Sequence, residues 1–297
     1  MKTKISTTFL IGIFSISLLS SCNSGGAEEN KIDEEVFDPN SSLNTMFDGK
    51  IFSIPSPVQT AFLIKQLNLS FDETILNDDA KVGEYITEYN QALNLGIYGT
   101  DLGYCALYNQ KKASLKYLST VEKLTTQLGL DAAFDTSFIS RFEKNSDNED
   151  STILLMADAF KESDNFLKNA NRKSTSALIL TGGWIESIYI ACELHTKKAS
   201  PEIKTRIGEQ KQSLSSIIDL LNTYNKSGSN DKLIAQLEDL RLSFDKIDFQ
   251  YEYAAPETDK DSKLTVFNHT LVVSFEETVM KEIKTKLTAI RVSITKA

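Results

Sequence analysis

Gln91-Ala-Leu-Asn-Leu-Gly-Ile-Tyr-Gly-Thr-Asp-Leu-Gly-Tyr-Cys-Ala106 carries apolar or small residues on nearly every side of a helix. Ser176-Ala-Leu-Ile-Leu-Thr-Gly-Gly-Trp-Ile-Glu-Ser-Ile-Tyr-Ile-Ala191 does the same. A helix that is apolar all round belongs inside a protein, not on its surface. These two segments are the expected centre, with the rest of the chain arranged around them. Laid over one another at an offset of 85 residues, they match at Ala92 and Ala177, Leu93 and Leu178, and Leu95 and Leu180. Further on, Asp101 meets Glu186, Tyr104 meets Tyr189 and Ala106 meets Ala191. The overlay points to an internal duplication of a helical unit. A glycine inside a helix costs about 1 kcal/mol relative to alanine. Gly96, Gly99 and Gly103 are three and four apart and share a face, so something must offset that cost. Close approach of a second helix, with Gly182-Gly183 as its mate, is the first expectation. A backbone left open for a ligand is the alternative.

Outward from this pair, helical periodicity continues. Ser56-Pro57 reads as an N-cap with a first-turn proline, followed by Val58, Phe62 and Leu63 at helical spacing. Residues 82–108 read as one or two helices. Leu115, Leu118, Val121, Leu124 and Leu128 form an apolar stripe stopped by Gly129. A shorter helix is expected over 134–142. Asp147 and Asp150 open another, carrying Ile153, Met156, Phe160 and Leu167. Ser200-Pro201-Glu202 caps a helix with Ile203, Ile207, Leu214 and Leu221, and Leu233, Leu237, Leu240 and Phe244 mark the next. Ser274-Phe275-Glu276-Glu277 is a capping box before a last helix with Val279, Ile283, Leu287, Ile290 and Ile294. Strand-like alternation is confined to 264–273. The expected fold is all-α, a multi-helix bundle or helical array of about eight to ten helices. At most one short hairpin is expected, near residues 50 and 270.

The front of the chain has a different character. Lys2 and Lys4 precede an apolar run over 8–19, which is long enough for a signal core and short of the roughly 20 residues that span a bilayer. Leu19-Ser20-Ser21-Cys22 then resembles the lipobox of bacterial lipoproteins. The resemblance implies cleavage before Cys22, diacylglycerylation of its thiol and acylation of the new amine, palmitate included. Two or more acyl chains anchor a protein stably where one does not. By the sorting rule of such lipoproteins, Asn23 in place of Asp points to the outer membrane. Residues 1–21 are therefore read as the signal peptide and 22–48 as a flexible acidic tether. A single all-helical domain fills 49–297.

The whole chain has 32 basic and 41 acidic residues, for a net charge of −9. Two of the basic residues leave with the signal, which takes the mature chain to −11. A net acidic chain without basic clusters argues against nucleic acid as a partner. After Cys22, only Cys105 and Cys192 remain, both in apolar stretches. Two thiols make no disulfide framework and no zinc site. They read as small buried hydrophobes, with a bridge between them as the alternative in an oxidising compartment.

Asp101 and Glu186 are the residues singled out for chemistry. A carboxylate in an apolar helix is costly to bury unpaired. Each is followed three residues later by a tyrosine, Tyr104 and Tyr189, whose hydroxyl is placed to donate to it. Two carboxylates brought together share a proton or hold a cation. The candidate ligand site is therefore Tyr98, Asp101, Tyr104, Trp184, Glu186 and Tyr189, and its structural alternative is a satisfied hydrogen-bond network. The histidines, His195 and His269, match no metal motif, and His195 near a helix end reads as a surface or dipole-stabilised residue. No nucleophile elbow, phosphate-binding loop or dinucleotide fingerprint is present.

As a whole, the chain resembles an uncharacterised all-helical family of lipoproteins from Gram-negative gut and marine bacteria. The resemblance lies in the lipobox, Ile54-Pro55-Ser56-Pro57, Leu95-Gly-Ile-Tyr-Gly-Thr-Asp-Leu102 and Gly182-Gly-Trp-Ile-Glu186. It implies an envelope lipoprotein and transfers no catalytic residue. The expectation is a non-enzymatic binding or scaffold module held to the membrane through the lipid on Cys22. Neither cofactor nor metal is expected, and the partner is an envelope protein or a small ligand. A small-molecule or cation binder with its site at Asp101 and Glu186 is the alternative.

Overall fold

The computed structural model describes residues 44–53, 70–131, 137–146, 148–259, 264–266 and 270–296. They are mainly helical, as the periodicity predicts. Two short strands come first, β1 (Asn44–Phe47) and β2 (Lys50–Ser53). After two 3-10 turns (Glu73–Ile75 and Asp79–Glu84) come α1 (Glu88–Leu107), α2 (Lys111–Gln127), α3 (Phe138–Asn145) and α4 (Glu149–Asn169). The chain continues with α5 (Lys173–Lys197), α6 (Pro201–Thr223) and α7 (Asp231–Phe244). Strands β3 (Asp248–Glu252), β4 (Glu257–Asp259), β5 (Leu264–Val266) and β6 (Thr270–Ser274) precede α8 (Glu277–Thr295).

The two all-apolar segments are α1 and α5, and their mutual packing is the most extensive in the fold. α5 is long and apolar enough to cross a bilayer, yet 83% of its most apolar window is buried within the protein. The glycines explain the closeness. A Cβ on Gly96 would lie 2.1 Å from the Ile179 carbonyl oxygen, and one on Gly182 would lie 2.0 Å from that of Leu93. Only glycine lets these two backbones meet. Thr100 completes the contact by donating to the Gly183 carbonyl at 3.2 Å. Gly99 and Gly103, however, do not face Gly182-Gly183. A Cβ on Gly99 would meet the Phe160 ring of α4 at 2.5 Å, and one on Gly103 would meet Met156. Three glycines at this spacing span an arc wide enough to serve two neighbours.

Around the central pair, α2 returns along α1 and α6 returns along α5, while α8 packs on α5 and α7. Several local signals act as read. Ser200 caps α6 by accepting from Ile203 N–H, with Pro201 in the first turn. Gly129, at φ +65°, follows the end of α2. Others differ. Asn148 caps α4, accepting from Ser151 N–H; Asp147 lies outside the described residues. The capping box at Ser274 does not form, because Ser274 ends β6 opposite Asp248 and α8 starts after Glu276 with no side-chain cap. The helices expected from Ser56-Pro57 and from Phe134 fall wholly or partly outside the described residues, and α3 is seen over Phe138–Asn145.

The expectation of at most one short hairpin is corrected. Three antiparallel pairs are present among the described residues: β1 with β2, β3 with β6, and β4 with β5. The turn Asp48-Gly49, with φ +49° and +77°, has the two left-handed residues a two-residue hairpin needs. Residues 44–48, assigned to the tether, are therefore part of this hairpin, and Phe47 is buried with 1% of its surface exposed. The ribbon of β3 and β6 has only five residues a strand, too short a window to stand out beside long helices. Its root rests on α6, where Gly208 leaves room for Val273 and Phe275.

Candidate functional site

Asp101 on α1 and Glu186 on α5 lie just beyond the glycine crossing, and both are fully buried. They are close enough for the charge on Glu186 to act on the Asp101 carboxyl. The cation between them and the rest of the core comes from the protein itself. Arg291 on α8 forms a bidentate pair with Glu186, Nε to Oε2 at 2.5 Å and Nη2 to Oε1 at 2.6 Å. Nη2 also donates to the Ile75 carbonyl at 3.3 Å, and the guanidinium sits 4.1 Å over the Tyr189 ring. Such a fork on a carboxylate is among the strongest polar contacts proteins make.

Asp101 is the odd member of the triad. Its Oδ2 accepts from Asn77 N–H at 3.1 Å, while no N–H or hydroxyl donor serves Oδ1. Burial pushes its carboxyl well above the usual carboxylate range, and the neighbouring Glu186 charge adds to the rise. A proton on Asp101 would turn that unserved oxygen into a donor toward Glu186. The triad would then carry one negative and one positive charge and be neutral overall.

The layer that covers this cluster is a strap of residues 72–85. It contains the two 3-10 turns and so has no continuous ladder for its own backbone groups. Buried polar backbone needs partners, and core side chains provide them. Tyr98 donates to the Asp78 carbonyl at 2.7 Å, and Tyr117 donates to that of Asn77 at 2.8 Å. The Tyr104 hydroxyl accepts from Asp72 N–H at 3.1 Å. Asp101 and Arg291 hold Asn77 and Ile75, as above. On the outside, Lys116 bridges Glu73 at 3.4 Å and Asp79 at 3.1 Å, one residue in each turn.

Of the six residues proposed for a site, Asp101, Glu186 and Tyr189 are therefore brought together. Tyr98 and Tyr104 turn their hydroxyls to the strap, and Trp184 Nε1 donates to Gln210 on α6 at 3.1 Å. The expected bonds from Tyr104 to Asp101 and from Tyr189 to Glu186 do not form. A tyrosine hydroxyl reaches well past a carboxylate one turn away, and Tyr104 instead stacks on Phe71 at 5.2 Å. The key residue that the sequence reading passed over is Arg291. Its signal was present: it stands four after Leu287 and three before Ile294, on the apolar stripe.

The remaining candidates are structural. His195 is buried, contrary to the surface reading, because its Nδ1 accepts from Ser200 N–H at 3.2 Å and ties the end of α5 to the cap of α6. His269 lies outside the described residues. Cys105 and Cys192 are buried free thiols, with burial pushing Cys192 up to about 12. An apolar crevice beside Gly99, lined by Leu95, Leu102, Val121, Phe138 and Phe160, offers a ligand no polar anchor. The two hydroxyls near it, on Thr125 and Ser163, bond to carbonyls of their own helices. Among the described residues, no cluster of three His, Cys, Asp or Glu side chains is placed to hold a metal ion. Comparison with protein-family models, curated proteins and solved structures finds no match to this chain.

Proposed function

We propose that this protein is a membrane-tethered lipoprotein of the cell envelope, acting as a non-enzymatic binding or scaffold module. The observation that carries the reading is Leu19-Ser20-Ser21-Cys22, directly after a short apolar core with lysines before it. The lipid on Cys22 is the membrane attachment, and Asn23 favours the outer membrane. The internal closure of the triad supports the non-enzymatic part. Arg291 already supplies the positive charge on Glu186, and the hydroxyls of Tyr98 and Tyr104 are engaged with the strap.

Labelled palmitate tests the anchor. The wild-type chain is expected to incorporate it and to fractionate with membranes, and Cys22→Ala is expected to lose both properties. A wild-type protein that is soluble and unlabelled overturns the reading. A hydrolytic activity that disappears with Asp101→Asn while the fold persists would overturn the non-enzymatic part alone.

A further inference from the structure

Among the described residues, the strap of residues 72–85, with its two 3-10 turns, is the layer over the triad that contains no α-helix. On its other sides the triad is enclosed by α1, α5 and α8. Water reaches Asp101 most cheaply by local opening of that layer, because segments without a regular ladder open at lower free energy than packed helices. The charges that face Asp101 decide when opening is favoured. From α5 come Glu186 and, farther out, Tyr189; from α8 comes Arg291. From α1 and α2 come Tyr98, Cys105 and Tyr117; on the outer side of the strap, Glu73 and Asp79 are clasped by Lys116. Arg291 already gives both of its forked donors to Glu186. A second ionised carboxylate at Asp101 would therefore leave two anions facing one guanidinium, and the buried cluster would hold a net negative charge.

We infer that the strap is a proton-gated cover: it closes over the triad while Asp101 carries the proton it donates to Glu186, and it opens as that proton passes to solvent. The closed state binds one more proton than the open one. The sign follows from the raised Asp101 carboxyl. Its stabilising contribution is complete below the ordinary aspartate range near about 4 and declines as pH rises toward the raised value. The gate does not depend on the lipid anchor, so the unlipidated chain is expected to behave identically.

Native-state hydrogen exchange of the Asn77 amide reads the opening directly. Between about pH 7.5 and pH 9, ordinary carboxylates, imidazoles and lysines keep essentially one charge state. Within that window, and after correction for intrinsic exchange, the opening constant is expected to rise up to about tenfold per pH unit. In Asp101→Asn, which keeps a donor toward Glu186 and cannot ionise, it is expected to be flat. In Tyr98→Phe, which frees the Asp78 carbonyl, opening is expected to increase at every pH with the wild-type slope retained. A flat wild-type profile, or equal slopes in wild type and Asp101→Asn, overturns the gate. Should Asp101→Asn not fold, denaturant unfolding of the wild type across the same window decides. About one proton taken up on folding supports the gate, and none overturns it.

Discussion

Arg291 occupies a position on α8 where Leu287 and Ile294 predict another aliphatic side chain, and its charge is what allows Glu186 to be buried. Removing one partner of a buried pair costs far more than the pair contributes, because the survivor is left uncompensated. Glu186→Gln and Arg291→Met are each expected to lower stability by about 3–5 kcal/mol in urea denaturation. Replacing both with methionine is expected to recover most of that loss, since an apolar pair of similar volume removes the desolvation penalty. If the double replacement is as unstable as either single one, the charges do more than neutralise each other. The sequence identified Asp101 and Glu186 from a simple conflict, a carboxylate in an apolar helix. It did not identify their partner, because a single arginine on an amphipathic helix is ordinary until its turn on the stripe is counted. The tyrosines were misassigned for a related reason: spacing gives the face of a helix but not how far a long side chain reaches.

At the level of elements, the crossing of α1 and α5 was readable because glycine is costly in a helix and must be offset. The sequence did not show that the three glycines of α1 divide between two neighbours. Gly182→Ala places a Cβ against the Leu93 backbone and is expected to cost at the upper end of about 1–3 kcal/mol, as overpacked cores do. Gly129→Ala meets no atom within 4 Å but must hold φ near +65°. It is expected to cost roughly 1–2 kcal/mol from backbone strain alone. Thermal melts of the two variants separate a steric glycine from a conformational one, and equal values would contradict the assignment. The short β pairs escaped notice because strands of three to five residues carry little periodic signal. The box at Ser274 failed because its serine is held by a strand partner, a long-range contact that local pattern does not contain.

Over the whole molecule, helical character and the burial of the two all-apolar segments were legible, since both rest on composition and period. The closure of the fold was not, because it depends on one element reaching distant ones. α8 brings Arg291 to Glu186 and Ile75, while the carbonyls of Ile294 and Thr295 accept from Asn94 at 3.2 Å and Tyr85 at 3.4 Å. Deleting residues 277–297 is therefore expected to abolish cooperative unfolding, and not only to shorten the array. Near-ultraviolet circular dichroism of the tyrosine-rich core reads this directly: retained sharp signals in the truncated chain would show that α8 is dispensable.

Arg291 follows Glu186 by 105 residues, and this separation has a consequence for how the chain is made. A polypeptide threaded through a translocation channel emerges from its N-terminal end. The segment that forms α5 arrives with an acidic side chain and no counter-ion, and it waits for 105 further residues before that charge can be neutralised. Premature collapse around α1 and α5 is thereby disfavoured. Under the export proposed above, a core that cannot seal early would keep the chain extended during its passage, and would tie its final locking to the arrival of α8.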